Sequence, residues 1–565
     1  MPDAKIDYKQ ERTNDSNEIL NSLHPRKVIV AGPGTGKSYL FQEIIKKKKA
    51  EGKKRFLAIT FIGKLGDALA DDLCGLAKTT TMHGFARGFV LEYCEGWNYY
   101  PRMCELIEED LKAEGITDFE IGDENYKRKT KQYQAIGDAD VVHYAVQICK
   151  KDANKIPVLD LILIDEYQDF NATESALVDI LAQKNEIVIT GDDDQALYGF
   201  KGSSPSFIRE KYDLDNTHWE SRTLRFCSRC TEVIIKYFHA IVERYNLNDP
   251  TESDPTTRRI KKEFICYMPS GESDSKIYDS KANPKIHLIK NCPVGMIAYK
   301  VYSELKELIE AQKIKDVLII GEGQSCKALL KIIAQQLKNY GFKNIDYRDE
   351  ADILQIQQDI VDAYKFIVKD ESSLLGWRIL GNPTNEGEKE KHIKNSKTLK
   401  AIIDGTPSQL EKIKDADIKT LESIIEDWET QNEKADAGDS ESDGIAIEAE
   451  RYKQDEEIRK NVLIHELKYS NLFLPRPLCN LDITVCNILN SKGLDADIVF
   501  LIGFDQGKFP SKAKATDSEI YQMLVAVTRA KKRVYLVNTV GKGVSTFLDC
   551  LTPDDVEVEE INTIH

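Results

Sequence analysis

No apolar stretch in this chain approaches the roughly 20 residues that a bilayer-spanning helix needs. The opening stretch, MPDAKIDYKQ, lacks the apolar core of a secretion signal. Together these absences predict a cytoplasmic protein with no membrane partner. An excess of basic charge is also missing: 78 Lys and Arg stand against 94 Asp and Glu, a net charge of −16. That excludes binding to nucleic acid through bulk positive charge and leaves only a local basic track. A cysteine framework is missing too. Twelve cysteines spread over 565 residues read as reduced thiols rather than as disulfide staples. Cys227-Ser-Arg-Cys230 is the only C-x-x-C, and no second pair stands at zinc or iron–sulfur spacing. No metal cluster of that kind is expected.

What the chain does have is length for several cores, about three or four domains by size alone. Short runs rich in Ile, Leu and Val at Lys27–Ala31, Phe56–Phe61, Leu159–Ile164 and Glu186–Thr190 alternate with helical patterns. That alternation predicts an α/β fold with parallel strands and helices on both faces. A second α/β pattern begins near Thr223, with strands expected at Lys285–Ile289, Asp316–Gly321, Asp482–Ile488, Ile498–Gly503 and Val534–Asn538. The expected division is a first α/β domain at 1–93 and 153–215 and a second at 216–351 and 479–565. Between their halves lie a small helical insertion at 94–152, without strand signal, and a charged, mostly helical one at 352–478. Inside the latter, Glu426–Glu457 is strongly acidic and poor in apolar residues, which predicts a flexible loop.

Three blocks carry chemistry, each after an apolar run. Ala31-Gly-Pro-Gly-Thr-Gly-Lys-Ser38 follows a strand and opens a helix, the context of a phosphate loop. Gly32, Gly34, Thr35 and Gly36 let backbone N–H groups close around a β-phosphate at a helix N-terminus. Lys37 reaches the β- and γ-phosphates, and Ser38 is a ligand for Mg²⁺. The run Asp165-Glu-Tyr-Gln-Asp169 ends a strand. Asp165 is the expected Mg²⁺ holder, and Glu166 is the candidate base that orients the attacking water. In Thr190-Gly-Asp-Asp-Asp-Gln-Ala-Leu-Tyr-Gly-Phe200, Gln195 is placed to sense the γ-phosphate, and Tyr198 and Phe200 to stack on bases. The three together predict an ATP-driven motor, because one short loop couples nucleotide state to a nucleic-acid grip.

With these blocks, and with Leu57-Ala-Ile-Thr-Phe61, Thr81-Met-His-Gly-Phe-Ala86, Ser491-Lys-Gly-Leu-Asp495 and Val525-Ala-Val-Thr-Arg-Ala-Lys531, the chain resembles the superfamily 1 helicases of the UvrD/Rep/PcrA type. The likeness covers both motor domains and is weak in the insertions. It implies two RecA-like parallel-sheet motor domains, ATP and Mg²⁺ as cofactors, and single-stranded or tailed double-stranded DNA as partner. It implies that Arg529 is an arginine finger and that Arg229 is the other arginine on the γ-phosphate. Read alone, Arg229 also fits a surface basic patch with Arg222 and Arg225. By the same likeness Asp495 contacts the ribose, and Gln10 is a candidate adenine reader, although it lies farther from the loop than is usual. Thr60, Phe61, His83, Tyr198 and Phe200 fall at DNA-contacting positions. Phe61 reads equally as a core residue at a strand end.

Several positions depart from that family. Ser228 stands where an aromatic usually stacks on adenine, which leaves Tyr39 to supply a ring from the other side or to pack into a helix interface. Asn487 and Leu489 replace a Thr and a His, and Lys201 replaces an Arg. No further domain is expected after the second motor. The resemblance implies a translocase that moves 3′ to 5′ and unwinds duplex. Compact UvrD-like proteins also occur beside nucleases in phage-defence operons such as the Gabija system. A DNA-sensing subunit with a nuclease partner is therefore the other expectation.

Overall fold

The computed structural model describes residues 7–212, 217–245, 254, 258–267, 285–311, 314–322, 326–348, 359, 361–363, 365–370, 373–380 and 481–561. The acidic stretch Glu426–Glu457 and most of the expected insertion at 352–478 lie outside the described residues. Contacts divide the chain into two units: Met1–Thr81 with Pro157–Asp349 and Tyr452–His565, and Met82–Ile156 with Glu350–Arg451.

The larger unit holds two sheets. The first is built from β1 (Arg26–Ala31), β2 (Phe56–Thr60), β3 (Lys78–Thr81), β4 (Leu161–Ile164), β5 (Ile187–Gly191) and β6 (Glu220–Leu224). Their order is β3-β2-β4-β5-β1-β6, and every pair is parallel. The central strands are aliphatic along their length because helices cover both faces, and β4 and β5 are buried at every residue. Ile29, Ala58, Leu163 and Val188 pack there with Leu40, Phe41 and Ile45 of the helix after β1.

A short parallel pair follows, β7 (Phe226–Cys227) with β8 (Ile265–Cys266). The second sheet contains β9 (Ile286–Cys292), β10 (Asp316–Gly321), β11 (Asn344–Tyr347), β12 (Asp482–Asn487), β13 (Ala496–Ile502), β14 (Ala530–Thr539) and β15 (Val556–Glu560). Its order is β11-β12-β10-β13-β14-β9-β15, again all parallel. Its core joins Ile319, Phe500, Ile502 and Val537 to Val301, Leu330 and Ile333 of the covering helices. Two parallel-sheet cores flanked by helices are thus present, as the periodicity predicts, and they are RecA-like, as the resemblance implies.

Four edge strands differ from expectation. Lys-Thr-Thr-Thr (β3), Glu-Ser-Arg-Thr-Leu (β6), Asn-Ile-Asp-Tyr (β11) and Val-Glu-Val-Glu-Glu (β15) have no apolar run. An edge strand keeps one side in water and tolerates polar residues. β6 pairs with β1, so the first sheet continues beyond residue 215, the boundary read from the sequence.

In the smaller unit, the two stretches expected as separate insertions share one core. Tyr100, Met103, Ile107, Leu111 and Tyr126 pack with Ala363, Leu375 and Ile379. Two 2-residue strands, Asn98–Tyr99 and Ala135–Ile136, pair there without any sequence signal. The same core buries charge. Asp110 accepts from Arg378 Nε at 2.7 Å and lies 3.5 Å from Lys129 Nζ, and the Tyr133 hydroxyl also donates to it. Removing one partner of a buried ion pair leaves the other uncompensated, which costs about 3–5 kcal/mol. Arg378→Ala should therefore lower stability by about that amount. Urea unfolding followed by circular dichroism checks this, and an unshifted midpoint would contradict it.

Candidate functional site

In a parallel sheet the loops after the strands gather along one edge. β4, β5 and β1 are neighbours, so the phosphate loop, the acidic strand end and the Gln195 loop converge. They line a cavity of about 570 Å³ together with Lys492, Gly493, Asp495 and Arg529, which stand just before β13 and β14 of the second sheet.

Beyond β1 the loop turns at Gly34 (φ 67°) and Gly36 (φ 92°), the second of which caps the helix Lys37–Ala50. Both positions demand the left-handed region that glycine enters without strain. At Gly34 there is also no room: a Cβ would lie 2.3 Å from Arg229 Cβ. Thr35 Oγ1 donates to Gly32 O at 2.8 Å and braces the turn. Lys37 Nζ lies 3.4 Å from Glu166 Oε1. Ser38 and Asp165 line the same cavity, and their oxygens are the hard donors that suit Mg²⁺. Glycine-freed amides, a helix N-terminus and the cations Lys37, Arg229, Lys492 and Arg529 in one cavity fit a nucleoside triphosphate.

The acidic pair is asymmetric. Asp165 Oδ1 accepts from Thr190 Oγ1 at 2.7 Å and from the Glu166 amide at 2.9 Å. Burial and the neighbouring Glu166 push the Asp165 carboxyl above its usual value. Burial pushes Glu166 the same way, but Lys37 and Lys492 outweigh it and hold that carboxyl below its usual range. Glu166 sits at φ 54°, a conformation that costs a non-glycine residue about 1 kcal/mol or more. Gln168 Nε2 holds its carboxylate at 2.6 Å.

Gln195 is buried and bonded on both sides. Its Nε2 donates to Asp192 Oδ2 at 2.6 Å, and its Oε1 accepts from Arg529 at 3.0 Å. Arg529 also donates to Val525 O at 3.1 Å and Leu494 O at 3.2 Å. Arg229 Nε pairs with Asp495 at 2.9 Å, and Lys531 reaches the other oxygen of Asp495 at 2.7 Å. The structure thus gathers Lys37, Glu166, Gln195, Arg229, Asp495 and Arg529 in one place.

The remaining expected nucleotide contacts divide. Gln10 does not line the cavity. The helix Tyr8–Asn21 is fixed by Arg225, which donates to Glu11 and Asp15. That turns Arg12 toward Gly36, 3.5 Å from where a Cβ would stand, while Gln10 faces solvent. Tyr39 lines the cavity and is 58% exposed, so it is not packed into a helix interface. The Ser228 amide donates to Gly34 O at 2.8 Å.

Among the expected DNA contacts, Phe200 is 70% exposed. Thr60 and Phe61 are buried, and Phe61 packs against Tyr198 with ring centres 4.8 Å apart. Tyr198 is buried as well, and its hydroxyl donates to Leu489 O at 3.5 Å. Phe61 thus packs as a core residue here, and Tyr198 bridges to Leu489 rather than presenting an open face. His83 lies on the helix Met82–Tyr93 of the smaller unit.

Two features escaped the sequence reading. Lys492 is buried, pairs with Asp169, lies 3.4 Å from Glu166 and donates to Gln195 O at 3.1 Å. Its signal was its place inside the block that supplied Asp495. The second feature is the segment after residue 257. Asp192, Asp193 and Asp194 lie close enough to resemble a metal site, yet cations already fill them. Lys262 lies 2.7 Å from Asp193 and 2.6 Å from Asp194, and also pairs with Asp192. Arg259 holds Asp194, and Arg209 holds Asp193 at 2.9 Å. The run Arg258-Arg-Ile-Lys-Lys262 reads as a solvated basic stretch, so nothing local announces its burial.

Two protein-family models match the chain: an AAA domain over residues 17–201 and a UvrD-like helicase C-terminal domain over residues 384–540. An ATP-dependent helicase/nuclease subunit of Lactococcus lactis subsp. lactis (strain IL1403) is 23% identical over 52% of this chain and 25% of its own length. The exonuclease/helicase subunit RexA of Lactococcus lactis subsp. cremoris (strain MG1363) is 25% identical over 37% of this chain and 19% of its own length. The ATP-dependent DNA helicase PcrA of Staphylococcus aureus (strain NCTC 8325 / PS 47) is 20% identical over 94% of this chain and 83% of its own. The chain thus spans a quarter or less of the Lactococcus proteins and most of the staphylococcal helicase. Its architecture is that of a UvrD/Rep/PcrA-like superfamily 1 helicase.

Proposed function

We propose that this chain is an ATP-dependent DNA translocase that hydrolyses ATP between its two parallel sheets and moves 3′ to 5′ along single strands. The observation that carries this reading is the bond between Gln195 and Arg529 at 3.0 Å. It joins a loop of the first sheet to the block before β14, and the same loop presents Phe200 to solvent. A change at the phosphate site then reaches a base-stacking ring within a few residues.

In this reading the amides of the Gly32–Gly36 loop and Lys37 bind the phosphates, and Tyr39 stacks on the base. Ser38 and Asp165 hold Mg²⁺, which when bound offsets phosphate charge. Glu166 accepts a proton from the attacking water, while Arg229 and Arg529 stabilise charge that develops on the transferring group. Asp495 meets the ribose once Arg229 leaves it for phosphate.

Base stacking on an aromatic contributes about 1–3 kcal/mol. Phe200→Ala should therefore weaken single-stranded DNA binding by roughly five- to 150-fold, with thermal stability kept because the ring is exposed. Fluorescence anisotropy with a labelled oligonucleotide measures it. Unchanged affinity removes Phe200 from the DNA path.

A second reading rests on the relatives' printed names, in which helicase and nuclease are parts of one assembly. Here the chain is an ATP-gated DNA-sensing subunit beside a nuclease, in phage defence or elsewhere. Strand displacement by the purified chain alone, on tailed duplexes of both polarities, separates the two readings. Unwinding from a 3′ tail favours the translocase, and its absence favours the sensing role.

A further inference from the structure

The C-x-x-C motif has no part in the chemistry above, yet it lies against it. Cys227 ends β7, and Cys230 precedes the helix Glu232–Arg244, so the pair stands just before a helix N-terminus. The Cys230 amide donates to Cys227 Sγ at 3.3 Å. The two residues between them are functional in position. The Ser228 amide donates to Gly34 O, and Arg229 packs against Gly34 and pairs with Asp495. Cys230 Sγ also donates to Thr528 O at 3.6 Å. Thr528 is the residue before Arg529. One thiol pair therefore touches the supports of both cavity arginines.

We propose that Cys227 and Cys230 are a reversible redox modification site, which hydrogen peroxide oxidises to a disulfide that displaces Arg229 and lowers ATP turnover. The Cys227 thiolate attacks one peroxide oxygen. The O–O bond breaks, hydroxide leaves, and a sulfenic acid forms. Cys230 sulfur then attacks Cys227 sulfur, the S–O bond breaks, and the departing hydroxide takes the thiol proton. Two thiols lose two electrons in all, and one peroxide becomes two waters.

The surroundings favour this order. Burial opposes ionisation of Cys227, but the neighbouring Cys230, the Cys230 and Arg229 amides and the Arg229 charge outweigh it. Its thiol is held below the usual cysteine value, and that of Cys230 above it. A nucleophilic thiol followed by a resolving thiol before a helix is an arrangement suited to disulfide exchange. Both thiols are buried while Thr528 covers Cys230, so peroxide reaches them when the two sheets part. Turning Cys230 Sγ toward Cys227 takes it from Thr528 and tightens the loop that carries Arg229.

The site stands apart from the proposed ATPase activity, whereas its effect on turnover rests on that reading. The test treats the nucleotide-free full chain with hydrogen peroxide, blocks remaining thiols with N-ethylmaleimide and maps peptides by mass. The expected product links Cys227 to Cys230 and is reversed by dithiothreitol. Turnover should fall at least tenfold and recover on reduction, while Cys230→Ser and Cys227→Ser should resist peroxide. A reduced chain without ATP turnover fails the ATPase reading, and the peptide map still decides the site. No such disulfide, a link from Cys227 to Cys266 across the β7–β8 pair instead, or a disulfide with turnover unchanged overturns the proposal. So does equal peroxide sensitivity in both serine variants.

Discussion

Arg529→Ala should reduce the rate of ATP hydrolysis by about 10³- to 10⁵-fold, the range of arginine fingers in phosphoryl transfer. The side chain is 3% exposed and fixed by Val525 O, Leu494 O and Gln195. Burial and the neighbouring Arg229 pull its pKa down to about 10, so it is still a cation at neutral pH. A buried charge held in place needs little reorganisation when the phosphoryl group moves. Its effect falls on the transition state more than on the bound substrate. Affinity for ATP should change only several-fold, which fluorescent-nucleotide titration checks against single-turnover hydrolysis. Arg529→Lys should not restore the rate, because an ammonium cannot reproduce the guanidinium's fork. A hydrolysis rate equal to wild type in a folded Arg529→Ala protein would mean that the arginine is structural.

Glu166→Gln should bind ATP and hydrolyse it about 10²- to 10⁴-fold more slowly, the usual contribution of a general base. Lys37 and Lys492 keep this carboxyl ionised against the pull of burial, which is the state a base requires. The sign matters for pH dependence. A pKa held below the ordinary carboxylate value leaves the group charged throughout the neutral range. Loss of turnover on mild acidification then cannot come from protonating Glu166. The amide keeps the shape of the side chain, so the loss isolates the proton-accepting oxygen. Normal turnover in Glu166→Gln would place the base elsewhere.

Much of this site was legible because its residues come in ordered blocks at strand ends. The glycines at positions 34 and 36 announce a turn that side chains cannot make, and both have positive φ. The aliphatic run Leu161–Ile164 announces a strand buried on both faces. What stayed hidden depends on partners far along the chain. Lys492 meets Asp169 from 323 positions away, and Lys262 meets Asp192 from 70. No local pattern separates such lysines from solvated ones. Edge strands were missed for a related reason, since β6 and β15 are strands by virtue of the neighbour they pair with. Phe61 and Tyr198 were ambiguous because an aromatic at a strand end serves a core or a ligand equally well. In the structure the two rings pack against each other.

Coupling between ATP hydrolysis and DNA is reached directly by one measurement. Steady-state ATP turnover by the purified chain is compared with and without single-stranded DNA. Low turnover is expected alone and a rise of tenfold or more with DNA, as the DNA-bound loop brings Gln195 and Arg529 to the phosphates. Turnover that is absent in both conditions, or identical in both, would contradict that coupling.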